Sequence, residues 1–245
     1  MKKQWIWPAF LVLLAAAAVF FSAGLDQALQ ARTVSLPATT KPVVVLDPGH
    51  GGMDGGAECG GVIEKDINLT IARKTAALCR LFGFEVIMTR DSDVSIHDSD
   101  KTTVRSQKRS DLHNRLTIMT ETPGSVVVSI HLNKFPESYV HGAQVFYAPK
   151  TEESKILAET MRGNIQEVLQ PDNEREIKRA DSSLFLLYNN TVNPAVLLEC
   201  GFISNPDESL MLRDDEYQDK IALMICYTLI EFQNGGEPSD DATMQ

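Results

Sequence analysis

Five short apolar runs, at 43–47, 84–89, 126–131, 143–148 and 195–199, alternate along this chain with longer stretches whose apolar residues recur every three or four positions. From Asp66 to Phe82 the recurring set is Ile67, Ile71, Thr75, Leu78 and Phe82, with Gly83 as a stop, and similar patterns occupy 106–120, 152–169 and 214–232. Short β-branched runs separated by amphipathic helices restrict the chain to an α/β architecture. Parallel strands need helical crossovers, and those helices must then cover both faces of the sheet. The expectation is a single α/β domain, a mainly parallel twisted sheet with helices on both faces.

The amino terminus follows another rule. Lys2 and Lys3 precede an almost wholly apolar run from Trp5 to Gly24. Basic residues before such a run mark an export signal, and about 20 apolar residues also suffice to span a bilayer. Residues 1–25 are therefore expected to be either a cleaved signal peptide or a retained membrane anchor, which makes the protein exported and extracytoplasmic. Residues 26–41 read as a linker, 42–233 as one catalytic domain, and 234–245 as a disordered tail. A formal net charge of −10 argues against a nucleic-acid partner, which requires a basic face. Cys59, Cys79, Cys200 and Cys226 occur singly, without the close spacing of a structural zinc site.

Chemistry concentrates where the strand-like runs end. Val43-Val44-Val45-Leu46 runs into Asp47-Pro48-Gly49-His50-Gly51-Gly52, a turn that presents one imidazole at a strand's end. His131 ends a second run, Glu64 stands just before the first amphipathic stretch, and Glu199 follows Ala195-Val196-Leu197-Leu198. Two imidazoles and a carboxylate match the ligand set of a catalytic zinc, and a second carboxylate is a candidate base. Each residue also has an ordinary reading. His50 and His131 can be satisfied structural histidines, Glu64 a residue favoured ahead of a helix, and Glu199 the partner of an arginine such as Arg90 or Arg115. His97, His113 and His141 lack ligand-like surroundings. The polar segments 91–108 and 172–181 read as solvated loops or as the walls of a substrate groove.

Leu46-Asp47-Pro48-Gly49-His50-Gly51-Gly52, Glu64-Lys65-Asp66, Ser129-Ile130-His131-Leu132-Asn133 and Leu198-Glu199-Cys200-Gly201-Phe202-Ile203-Ser204-Asn205 together resemble, in order, the zinc-dependent N-acetylmuramoyl-L-alanine amidases of the amidase-3 family. Within that family the similarity is greatest to the germination-specific spore-cortex type. The resemblance implies the amidase-3 fold over residues 42–233, one Zn2+ per chain held by His50, Glu64 and His131, and Glu199 as catalytic acid/base. It implies cleavage of the amide between N-acetylmuramic acid and L-alanine in peptidoglycan. In the cortex this removes whole stem peptides, ahead of a muramic-acid deacetylase that completes muramic-δ-lactam. A lipoprotein partner is a further family-level expectation. The alternatives are a vegetative amidase of cell separation and, from another class, a non-catalytic wall-binding scaffold.

Overall fold

The computed structural model describes residues 41–235. The expected signal or anchor, nearly all of the expected linker, and the tail beyond Gly235 lie outside the described residues.

Each apolar run of the sequence becomes a strand of one six-stranded sheet. β1 (Val43–Pro48), β4 (Glu85–Met88), β5 (Ser125–Asn133), β6 (Gln144–Tyr147), β7 (Lys178–Arg179) and β8 (Ala195–Phe202) lie in the order β4-β1-β5-β8-β6-β7. The first four strands in that order are parallel. β6 runs antiparallel to β8, and β7 runs parallel to β6. The expectation of a mainly parallel sheet holds, with β6 as the reversal. The connection 134–143 holds no helix, so the chain cannot travel back to the edge where β5 began. It enters β6 from the edge where β5 ended.

The helices are α1 (Glu64–Leu81), α2 (Val104–Thr120), α3 (Glu153–Asn164), α4 (Phe185–Asn189), α5 (Pro206–Arg213) and α6 (Asp215–Gln233). Strand alternation sends neighbouring residues to opposite faces. Val44, Leu46, Ile130 and Leu198 pack with Ile71, Leu157 and Ile225 from α1, α3 and α6. Val45, Val127 and Leu197 pack with Met119 from α2 and Leu187 from α4. The sheet is therefore apolar on both sides, as its unbroken runs require.

Local chemistry sets the helix starts. Thr103 and Ser106 form a reciprocal capping box at α2, while Asn205 caps α5 ahead of Pro206, and Asp214 caps α6. The expected helix over 152–169 changes character before its end. α3 stops at Asn164, and Ile165–Leu169 widens into a π turn closed by Gln170 N–H to the Ile165 carbonyl at 2.8 Å. Glu64 is the first residue of α1 and not a residue ahead of it. The hairpin β2 (Glu58–Cys59) and β3 (Val62–Ile63) just upstream delivers it there. No helix among the described residues is long and apolar enough to cross a membrane.

Candidate metal centre

The carboxyl ends of β1, β5 and β8 meet at one edge of the sheet, the place where open parallel sheets put their chemistry. The backbone turns sharply after β1. His50 has φ of +62°, the one positive value among the described non-glycine residues, followed by Gly51 at +139° and Gly52 at +56°. A left-handed residue with a Cβ costs roughly 1–2 kcal/mol, so its surroundings must hold it. They do so by main-chain contacts. Gly49 N–H donates to the Ile130 carbonyl at 3.0 Å, Gly51 N–H to the Asp54 carbonyl at 2.9 Å, and Arg115 Nη2 to the His50 carbonyl at 2.5 Å.

His50, Glu64 and His131 converge there, each offering one ligand atom, and those atoms all lie within 4.8 Å of one another. The imidazoles stand nearly perpendicular, with centroids 5.0 Å apart. Glu64 is 3% exposed, and its carboxylate is aimed by the backbone: Oε2 accepts from Ala57 N–H at 2.7 Å, Oε1 from Leu132 N–H at 3.1 Å and Asn68 Nδ2 at 3.2 Å. Glu64 Oε1 also lies 2.9 Å from His131 Nδ1 and 3.3 Å from His50 Nε2. On its other nitrogen, Nδ1, His50 meets Asp54 Oδ2 at 3.0 Å, and Lys108 Nζ sits 2.8 Å from the second Asp54 oxygen. Burial opposes charge on His50, but the hydrogen bonds to Asp54 and Glu64 outweigh it and push the imidazole up to about 9.

The fit to a cation is a matter of donor chemistry and space. Two ring nitrogens and a buried carboxylate oxygen are a borderline-soft set suited to zinc. Without a cation the same groups share protons among themselves, so metal uptake must displace protons. The cradle has no slack. A Cβ on Gly56 would fall 2.5 Å from Glu64 Oε2 and 2.6 Å from His50 Cδ2, and one on Gly49 only 2.2 Å from His131 Cε1. Gly49→Ala should therefore shift His131 and weaken zinc binding by roughly ten- to a hundredfold, measured by chelator competition. Unchanged affinity would show that the ring tolerates the displacement.

Glu199 stands beside this cluster. It is in register with His131 on the neighbouring strand, and Gln144 of β6 flanks it on the other side. Its Oε2 is buried with no hydrogen-bond partner among the described residues. Burial pushes its carboxyl up to about 7, the charge of Glu64 adds to the rise, and the nearby imidazoles oppose it. Cys200, the next residue, points into the core on the opposite face.

The alternative pairing of Glu199 with Arg90 or Arg115 does not occur. Arg115 Nη1 donates to Asp47 Oδ1 at 2.7 Å and to the Pro48 carbonyl at 2.9 Å, and Nε donates to Asp111 at 2.6 Å. Asp47, fully buried, also accepts from Thr89 Oγ1 and Ser129 Oγ at 2.6 Å each. Burial alone would raise its carboxyl, but the Arg115 guanidinium and the two hydroxyls hold it below the ordinary value. Sequence reasoning missed this network. Its one signal was a carboxylate at the end of an otherwise apolar strand, where burial demands a partner.

The three weaker histidines stay apart from the cluster. His97 meets Ser95 Oγ at 2.8 Å, His113 packs against Phe185, and His141 is exposed. Segment 172–175 does line a groove, of about 910 Å3, together with Tyr139, His141 and Met211. Neither the three clustered residues nor Glu199 lies in its wall.

A family model described as N-acetylmuramoyl-L-alanine amidase matches residues 44–231, which include all three clustered ligand-type residues and Glu199. The chain belongs to this amidase family. The germination-specific N-acetylmuramoyl-L-alanine amidase of Bacillus subtilis (strain 168) is 32% identical over 241 residues, 98% of this chain and 100% of that protein. Among solved structures, the CwlD amidase from Clostridioides difficile, in complex with the GerS lipoprotein, matches with a TM-score of 0.76 at 38% identity, over 79% of this chain and 99% of that one. An N-acetylmuramoyl-L-alanine amidase from Clostridium difficile 630 matches with a TM-score of 0.68 at 28% identity, over 81% and 100%. The amidase is thus a cell-wall hydrolase, and peptidoglycan is the substrate its activity implies.

Proposed function

We propose that the amidase works with one zinc ion held by His50, Glu64 and His131, and that Glu199 is its acid/base. The observation that carries this reading is the convergence of two imidazoles and a buried carboxylate within 4.8 Å, beside a second carboxyl raised to about 7. A bound zinc ion supplies Lewis acidity toward the scissile carbonyl and the attacking water. Glu199 supplies the proton traffic. Its carboxylate takes a proton from the water as the oxygen attacks the lactyl carbonyl carbon. The same carboxyl returns that proton to the departing alanine nitrogen, which leaves as an amine. A carboxyl that accepts a proton in one step and returns it in the next serves as both base and acid. Asp54 holds the His50 ring through Nδ1, and the Ala57 and Leu132 amides hold Glu64, so this chain fixes its ligands before substrate arrives.

The substrate we propose is cortex peptidoglycan, from which whole stem peptides are removed on the way to muramic-δ-lactam, a deacetylase completing the lactam. Similarity to the Bacillus subtilis germination-specific amidase over almost the whole chain supports this. Export by the apolar segment 1–25, whether cleaved or retained as an anchor, places the catalytic domain, residues 42–233, outside the cytoplasm. The related amidase in complex with a lipoprotein supports a partner of that kind here. Loss of muramic-δ-lactam from the cortex on deletion is the expected result, and an unchanged lactam content would favour a vegetative wall role.

The metal assignment has a direct test. Purified chain dialysed against metal-free buffer should retain near one zinc, read by elemental mass spectrometry, whereas His50→Ala and His131→Ala should retain almost none. Full zinc in either variant removes that residue from the ligand set.

A further inference from the structure

Among the described residues, Arg90 is a buried cation without an anion beside it. The residue is 3% exposed, and the carboxylates that bear on its charge are engaged elsewhere: Asp47 and Asp111 with Arg115, Asp93 with Lys65. Its hydrogen bonds all end on main-chain carbonyls. Nε donates to Pro48 O at 2.9 Å, Nη1 to Ser92 O at 3.1 Å, and Nη2 to Gly49 O at 3.0 Å and Lys65 O at 2.9 Å. Leaving a guanidinium in such a place is expensive unless its donors have work that no apolar side chain can do.

The identity of the acceptors gives the reason. Pro48 and Gly49 immediately precede His50, and Lys65 immediately follows Glu64. One planar group with a fixed fork of donors therefore spans from the turn after β1 to the first turn of α1. The turn is also moulded on its stem, since a Cβ on Gly51 would fall 2.8 Å from Arg90 Cδ and 2.9 Å from Nε. Arg115 fastens the same turn through the Pro48 and His50 carbonyls while paired with Asp47 and Asp111, and none of its hydrogen bonds reaches α1.

We propose that Arg90 is a positioning residue of the metal centre, setting the separation of His50 and Glu64 through the carbonyls that flank them. The inference rests on the zinc reading above. An ammonium at this position has no fork, and a carboxamide has one donor group, so neither can hold all four carbonyls.

The test uses the full chain with zinc alone as ligand. Arg90→Lys and Arg90→Gln are expected to weaken zinc binding about ten- to a hundredfold in chelator competition. They should also alter the visible d–d absorption of the cobalt(II)-substituted protein, which reports ligand geometry. Leu229→Ala, deep in the core among α1, α3 and α6, serves as the control for general destabilisation. It should lower the metal-free Tm while leaving affinity and spectrum near those of wild type. Zinc affinity within about threefold of wild type in either Arg90 variant, or an equal loss in Leu229→Ala, overturns the positioning role. A wild-type chain that binds no zinc overturns instead the metal reading beneath it.

Discussion

Glu199→Gln is expected to lower kcat by roughly a hundred- to ten-thousandfold, the usual worth of a positioned general acid/base, while zinc content stays near one per chain. Glutamine preserves the shape of the side chain but neither accepts the water's proton nor returns one to the amine. Stem-peptide release from purified peptidoglycan, quantified by chromatography, gives the rate. Turnover close to wild type would remove Glu199 from the mechanism. The same substitution has a stability signature. In the metal-free chain, the carboxyl keeps its proton up to about pH 7 against an ordinary value of 4.5. For a raised carboxyl the favourable contribution is complete below 4.5 and is lost as pH rises through about 7. Glutamine does not ionise, so the variant's metal-free Tm should vary less with pH across that window.

Asp47→Ala carries the largest expected cost in stability, about 3–5 kcal/mol, because it leaves the Arg115 guanidinium buried against only one carboxylate, Asp111, and strands two hydroxyls. The midpoint of urea unfolding measures it. A loss under about 1 kcal/mol would mean that water or Asp111 compensates, and that the network is dispensable. The sign of the pH dependence follows from the lowered Asp47 carboxyl. Its contribution is complete above the ordinary value of 3.8 and disappears as pH falls through the depressed one. Wild type should therefore lose this stabilisation in acid, and Asp47→Ala should have none to lose. Since Arg115 also donates to the His50 carbonyl, zinc affinity is expected to fall along with stability.

Both experiments bear on features with different visibility in the sequence. β1, β5 and β8 were legible because central parallel strands are buried on two faces and so appear as unbroken apolar runs. α1 and α6 were legible because long helices repeat their apolar period several times. β7, the strands β2 and β3, and α4 span two to five residues each, too few to show any period, and α5 is barely two turns. The reversed direction of β6 and the π turn after α3 depend on where the chain must arrive, which no local pattern encodes.

The candidate site divides in the same way. His50, Glu64, His131 and Glu199 stood out singly because imidazoles and carboxylates at the ends of apolar runs have few ordinary reasons to be there. Their sequence positions are far apart, and only the shared edge of the sheet brings three of them within 4.8 Å, with Glu199 in register beside His131. Arg90 and Arg115 read only as possible partners for Glu199. The structure turned both toward the backbone around His50, leaving Glu199 Oε2 without a hydrogen-bond partner among the described residues. Side-chain chemistry and apolar periodicity, which are local, determined the α/β class and the inventory of reactive groups. Pairing, orientation and proton affinity depend on distances of a few ångströms between distant segments and on exclusion of water, and only the tertiary structure decided those.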